Sequence, residues 1–283
     1  MADVTKPVTV MGVVNVTPDS FSDGGHYLEV DAAVAHGLQL LRDGADILDV
    51  GGEATNPRAR PVTAKDELAR VLPVVRRLVA AGATVSIDTT KAVVAHAAVA
   101  AGARIINDVS GGLFDPDMSC AIGDAIYIVG HLRGRSIAEV FSAEAQRAGG
   151  GSTSSSGTSP APLDWRTVAD ELADRLAALP PDVSARAWVD PGLGFGKGAD
   201  PDANLALVRH SRALGARLGR PVVVGASRKR FVRRAFGVRD HDLAELDAAS
   251  VAATMQAIEA GANVVRVHNV ALLRAALALY TQG

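Results

Sequence analysis

The chain has 283 residues, of which 48% are hydrophobic and only 4% aromatic, and its formal net charge is −2. A chain of this length, rich in Ala, Val and Gly, suits helices packed tightly on a parallel sheet better than an aromatic β-sandwich. The near-neutral charge removes any electrostatic case for nucleic acid or an anionic membrane surface as partner, and the single cysteine, Cys120, excludes an internal disulfide and any thiolate metal cluster.

Cys120 therefore reads as a small buried hydrophobe in a protein of a reducing compartment. Residues 1–9 carry no charged start followed by an apolar block, as a signal peptide would, and no apolar run reaches membrane-spanning length. The expected location is the cytoplasm.

In chain order, short β-branched runs alternate with longer Ala/Leu-rich amphipathic segments. A strand is predicted over 8–14, then a helix over 32–41 with Asp31 as its N-cap. A strand over 45–50 precedes a helix over 65–80, and strands over 85–88 and 104–107 flank a helix over 91–100. Strands over 125–129, 187–190, 222–225 and 263–267 continue the series, with helices over 167–178, 203–218, 248–260 and 270–280. Gly44-Ala45, Gly102-Ala103 and Gly261-Ala262 each read as a helix C-cap followed by a strand start. Eight strand–helix units with short connections predict a TIM (β/α)8 barrel, one domain over residues 1–283, with a doubly wound sheet as the alternative. Residues 148–162, with Gly-Gly-Gly, a Ser/Thr run and two prolines, read as a flexible insert after the fifth strand.

The stretch Val222-Val-Val-Gly-Ala-Ser-Arg-Lys-Arg230 organises the chain. An unbroken apolar run is a strand buried on both faces, so its cations sit at the C-terminal tip, where barrels carry their chemistry. Ser227, Arg228 and Lys229 are expected to face an anion or a polar ring. The same grammar recurs. Asn15, Asp49, Glu53, Asp88, Asn107, Asp108, His131, Asp190, Arg266 and His268 all fall at or just past strand tips, and so many polar tips on one face predict a convergent pocket rather than a set of helix caps.

Asp88, Asn107 and Asp190 offer carboxylates and an amide suited to the paired N–H donors of a nitrogen heterocycle. Arg266 can stack on a flat ring and Lys229 can donate to a ring carbonyl. Ser227, Arg266 and His268 supply rim contacts for a phosphate or pyrophosphate, and the Asn15 amide oxygen can bind a hard cation beside phosphate oxygens. The chain shows no HExxH, no P-loop and no Ser/His/Asp order with elbow glycines, and Gly192-Leu-Gly-Phe-Gly196 has the wrong spacing for a dinucleotide loop.

Taken together, Asn15-Val-Thr-Pro-Asp-Ser-Phe-Ser-Asp-Gly-Gly25, Asp49-Val-Gly-Gly-Glu53, Ser86-Ile-Asp-Thr89, Ile105-Ile-Asn-Asp108, Asp190-Pro-Gly-Leu-Gly-Phe-Gly-Lys197, Ser227-Arg-Lys229 and Arg266-Val-His268 resemble the dihydropteroate synthase family, in the family's order and over nearly the whole chain. The resemblance implies a transferase of folate biosynthesis. Such an enzyme condenses 6-hydroxymethyl-7,8-dihydropterin pyrophosphate with para-aminobenzoate, with Mg2+ on the pyrophosphate, as a homodimer and a sulfonamide target. Carried over by position, Asp88, Asn107, Asp190, Lys229 and Arg266 bind the pterin. Asn15, Thr55, Arg266 and His268 serve the pyrophosphate, with Asn15 as metal ligand. Phe195, Ser227, Lys229, Thr55 and Pro57 receive the aminobenzoate.

The chain departs from the family pattern at Asn56, where an arginine is expected, at Gly130-His131-Leu132, where Met-His-Met is usual, and at Asn269, which replaces an aspartate. Alternative readings are a pterin-binding paralogue with little or no turnover and a methyltetrahydrofolate-type methyltransferase barrel.

Overall fold

Eight strands follow one another around a ring, all paired in parallel, in the order β6-β5-β4-β3-β2-β1-β8-β7. The computed structural model describes residues 8–16, 25–54, 61–148, 164–239 and 241–280. The strands are β1 Thr9–Asn15, β2 Ile47–Gly51, β3 Val85–Asp88, β4 Ile105–Asp108, β5 Ile126–Gly130, β6 Trp188–Asp190, β7 Val223–Val224 and β8 Val264–Val267. The ring closes where Val189 of β6 bridges Val222, just ahead of β7. There the Val189 N–H donates to the Pro221 carbonyl at 2.9 Å. This is the expected barrel, and the doubly wound alternative falls because its sheet would have two open edges.

The outer layer is formed by α1 Gly25–Arg42, α2 Ala64–Ala80, α3 Ala92–Ala100, α4 Met118–Ala121, α5 Ile137–Ala148, α6 Trp165–Ala178, α7 Pro181–Arg186, α8 Pro201–Arg209, α9 Ser211–Leu218, α10 Arg230–Ala235, α11 Leu243–Glu259 and α12 Val270–Tyr280. Thr63 and Asp164 cap α2 and α6 through side-chain oxygens, which fulfils the usual N-cap preference. Asp31 does not cap a helix. It lies within α1, where its carboxylate accepts from Arg77 of α2. The helix expected over 203–218 is two, because the chain turns out of helical geometry at His210 and restarts with Ser211 bonded back to Val208. Gly44, Gly102 and Gly261 have φ of +99°, +105° and +93°, the left-handed caps that their Gly-Ala pairs predict. Cys120 is exposed on the four-residue α4 rather than buried, since α4 is too short to turn both faces inward.

Two hydrophobic layers hold the barrel. Residues such as Val10, Val14, Leu48, Val50, Ile87 and Ile106 face the helices, while Met11, Ile47, Ile105, Ile128, Val223 and Val264 plug the barrel's interior. Side chains alternate along a strand, so the residue two positions on shares the same face. Two steps past Ile47, Ile105, Trp188 and Val264 stand Asp49, Asn107, Asp190 and Arg266. The apolar plug therefore turns polar one layer higher, at the C-terminal end of the strands. The Gly/Ser-rich insert over 148–162 lies outside the described residues except for Ala148, the end of α5. Among the described residues no helix is long and apolar enough to cross a membrane.

Candidate active site

Arg266 organises that polar layer. Its Nε donates to Asp49 Oδ2 and its Nη2 to Asp88 Oδ2, both at 2.6 Å, and Asn107 Nδ2 donates to the same Asp49 oxygen at 3.0 Å. Burial disfavours a charged guanidinium here, but Asp49, Asp88 and Asp190 outweigh it and keep Arg266 firmly protonated. Asp49 is fully buried. Its role as the brace for Arg266 and Asn107 was not legible beyond its being a polar residue on an apolar strand.

Asp88 is drawn the other way. Burial raises its carboxyl to about 7, helped by Asp49 and Glu67 and opposed by Arg266 and Lys229. Its side chain keeps 18% exposure, the opening through which a ligand would meet it. Asp190 is likewise raised by burial, held back by the N–H of Gly192 and by Lys229 and Lys197.

A cavity opens above these groups, lined by Asn107, Asp190, Phe195, Lys229 and Arg266 together with glycines of the strand tips. The β6 tip turns sharply at Gly192, whose N–H donates to Asp190 Oδ1 at 2.6 Å. At φ +68° a β-carbon there would stand 1.8 Å from the His131 carbonyl oxygen, so only glycine fits. The turn brings Leu193 O to accept from Lys229 Nζ at 2.8 Å and places the Phe195 ring under the same ammonium, 3.9 Å from its centroid.

At the rim Ser227 Oγ lies 2.9 Å from His268 Nδ1 and accepts from the His268 backbone N–H at 3.2 Å. Burial, with Arg266 and Arg228 nearby, lowers His268 to about 3, so its ring is neutral. Arg228 does not face the pocket. It adopts φ +57°, donates its backbone N–H to Ser250 and its guanidinium to both oxygens of Asp247 at 2.7 and 3.0 Å, which anchors the β7 tip to α11 instead.

The structure thus gathers Asn107, Asp190, Phe195, Lys229 and Arg266 at one cavity, with Asp88 held behind it by Arg266 and with Ser227 and His268 beside it. Asn15 ends β1 at the same face with an exposed side chain. Thr55, Pro57 and Asn56 lie outside the described residues. Among the described residues no three acidic, His or Cys side chains converge as a metal cage. The available donor, the exposed Asn15 amide oxygen, fits an ion held mainly by the substrate's phosphate oxygens and water.

Residues 11–268 match the model of a family described as pterin binding enzyme. The dihydropteroate synthase of Mycobacterium leprae is 42% identical over 93% of this chain and 89% of its own length. A structure of Xanthomonas albilineans dihydropteroate synthase with 4-aminobenzoic acid superposes with a TM-score of 0.81 at 39% identity, over 99% of this chain and 93% of that one. Another of that enzyme, in complex with 7,8-dihydropteroate, gives 0.79 at 38% identity over 99% and 95%.

Proposed function

Because this chain belongs to the dihydropteroate synthase family of pterin-binding enzymes, we propose that the Arg266-centred pocket holds the dihydropterin and that the Ser227–His268 pair meets the pyrophosphate. The family's reaction is a transfer step of folate biosynthesis, and small molecules are the substrates. The observation that supports the residue assignment is one cavity lined by Asn107 and Asp190 on one side and Lys229 and Arg266 on the other, with Asp88 bonded to Arg266.

The acceptors take the N–H groups on the pterin edge, Lys229 donates to its carbonyl, and the Arg266 plane lies against the ring. The bond between the methylene carbon and the pyrophosphate oxygen breaks, its electron pair leaving with oxygen. The positive charge spreads into the pterin, where Asp88 and Asp190 carboxylates stabilise it. The aniline nitrogen supplies the pair for the new C–N bond and then loses one proton, giving dihydropteroate, pyrophosphate and H+. Because the nucleophile needs little activation, placement of the two rings supplies most of the acceleration. In this reading neutral His268 and the Arg266 cation donate to the departing group. A Mg2+ ion, bound through Asn15 and the phosphates, would neutralise charge on that group when present.

Phe195, Ser227 and Lys229, with Thr55 and Pro57 of the second loop, are proposed to receive the aminobenzoate. A homodimer is proposed too, supported by exposed apolar side chains on the outer layer: Leu272, Leu279 and Tyr280 of α12 and Leu243 of α11. A cytoplasmic location accords with the single cysteine. The decisive experiment supplies purified protein with the dihydropterin pyrophosphate and Mg2+, with and without para-aminobenzoate. Aminobenzoate-dependent release of pyrophosphate with dihydropteroate formed supports the assignment. Pterin binding with no such release would instead identify a binding paralogue.

A further inference from the structure

Behind the pocket lies a buried chain of charges that the reaction as described does not use. Lys197, 9% exposed, ends the β6 turn, and its Nζ lies 2.9 Å from His131 Nδ1, 3.1 Å from His131 O and 3.3 Å from Phe195 O. Three acceptors surround one nitrogen. An ammonium has three N–H donors and a neutral amine two, so only the charged form satisfies all three.

Donation into Nδ1 fixes the proton of neutral His131 on Nε2, which then donates to Glu171 Oε2 of α6 at 2.9 Å. Burial, reinforced by Lys197 and Arg175, keeps His131 neutral by lowering it to about 3. Glu171 is shared with Arg133, and Arg175 of the same helix donates to the carbonyls of Gly130 and Leu132. The His131 N–H donates to Asp190 O at 2.9 Å. The β5 tip, the β6 tip and α6 are thus tied at one fully buried histidine.

What this knot holds is the Gly192–Phe195 turn. That turn carries both supports of Lys229, the Leu193 carbonyl and the Phe195 ring, as well as the N–H that fixes Asp190. We propose that Lys197 is a positioning residue for pterin binding: as an ammonium it pins the β6 turn through His131 and Glu171, and so sets the place of Lys229 and Asp190. The inference rests on the pocket being the pterin site.

The device is pH-dependent. The groups facing Lys197 are Asp190 of β6, Glu171 and Arg175 of α6, Lys229 beyond β7 and His131 beyond β5. Burial lowers Lys197 to about 7, with Arg175 and Lys229 lowering it further and Asp190 and Glu171 raising it. Loss of its proton frees one of the three acceptors and slackens the turn, so pterin affinity falls on the alkaline side.

Binding of a fluorescent pterin without pyrophosphate tests this, titrated from about pH 6 to about pH 9 on wild type, Lys197→Met and Glu171→Gln, with folding followed by circular dichroism. The same ligand is used throughout, so its own titration cancels in the comparison. Lys197→Met is expected to bind about tenfold more weakly near pH 6.5 and to lack the alkaline decline. Glu171→Gln, a change at a partly exposed side chain, keeps the acceptor for His131 but removes the charge that favours the ammonium, so its alkaline midpoint moves to lower pH. A purely structural lysine would lower thermal stability and leave the shape of the pH profile alone. Folded Lys197→Met with wild-type affinity and profile overturns the proposal. If that variant does not fold, an unmoved midpoint in Glu171→Gln overturns it instead. Absence of pterin binding by the wild type would overturn the site assignment itself.

Discussion

The Ser227 hydroxyl sits 2.9 Å from His268 Nδ1 while accepting the His268 backbone N–H. The hydroxyl is thus bonded to both the backbone and the ring of the neutral histidine. One serine therefore holds the orientation of the rim imidazole. Ser227→Ala is expected to lower kcat/KM for the pyrophosphate substrate about tenfold, worth about 1.4 kcal/mol. Because both residues act as one unit, Ser227→Ala combined with His268→Ala should cost little more than either alone. Strict additivity in steady-state kinetics would separate the two roles.

Asp88 gives an acid limb. Only its ionised form accepts paired N–H donors, and burial holds the carboxyl at about 7. A proton must leave before pterin binds, so affinity falls as pH drops through that value and approaches a tenfold loss per unit below it. Isothermal titration of wild type and Asp88→Asn checks the sign. The variant should show no acid limb and bind weakly at every pH, by about 2 to 4 kcal/mol. Near-wild-type affinity in Asp88→Asn would remove Asp88 from the site. In the unliganded protein the same shift has the opposite sense. A carboxyl raised from an unfolded value near 4 contributes stability below that value, and this is lost as pH rises toward about 7.

Asp49 is a stability prediction rather than a binding one. It is fully buried and takes both Arg266 Nε and Asn107 Nδ2 on a single oxygen. Asp49→Ala strips a buried guanidinium of one of two partners, which typically costs about 3 to 5 kcal/mol. Urea unfolding should record that loss with an unchanged m-value, and a loss under about 1 kcal/mol would mean that Asp88 alone suffices for Arg266.

The strand-tip logic was legible because side-chain alternation carries inward apolar residues to inward polar ones two positions later. Asn107, Asp190 and Arg266 each stand two positions past an inward apolar residue, Asp88 two past Ser86; all four are expected from their place at the tips of β-branched runs, and the bounds of β3 agree with those expected over 85–88. Arg228 was misplaced because three adjacent cations look alike in sequence, and only the φ of +57° at Arg228 shows that the first of them turns outward to Asp247. The helix start at Gly25 was missed because Asp31 has the chemistry of an N-cap whether or not it stands at a terminus. The Lys197–His131–Glu171 knot joins residues 40 and 66 positions apart, and no local period announces such a contact. The short helices α4, α7 and α10 are too brief to show a 3.6-residue pattern.

The replacement of an aspartate by Asn269 has a local cause that makes a final prediction. Asn269 Nδ2 donates to Asp247 Oδ2 at 3.1 Å, on the carboxylate that also takes Arg228. Burial alone would raise Asp247, but the bonds from Arg228 and Asn269 outweigh it and hold the carboxyl below its usual value. An aspartate at 269 would bring a second carboxylate to hydrogen-bond distance with one guanidinium between them, and one of the two would bind a proton far more tightly than in the unfolded chain. A raised folded-state value means stability that is present at low pH and lost as pH rises. Asn269→Asp should therefore match wild type near pH 4 and be less stable near pH 7 by about 1 to 2 kcal/mol, read as a lower Tm only at the higher pH. Equal Tm values at both would show that Arg228 can neutralise two carboxylates at once. That outcome would leave the asparagine without a structural reason.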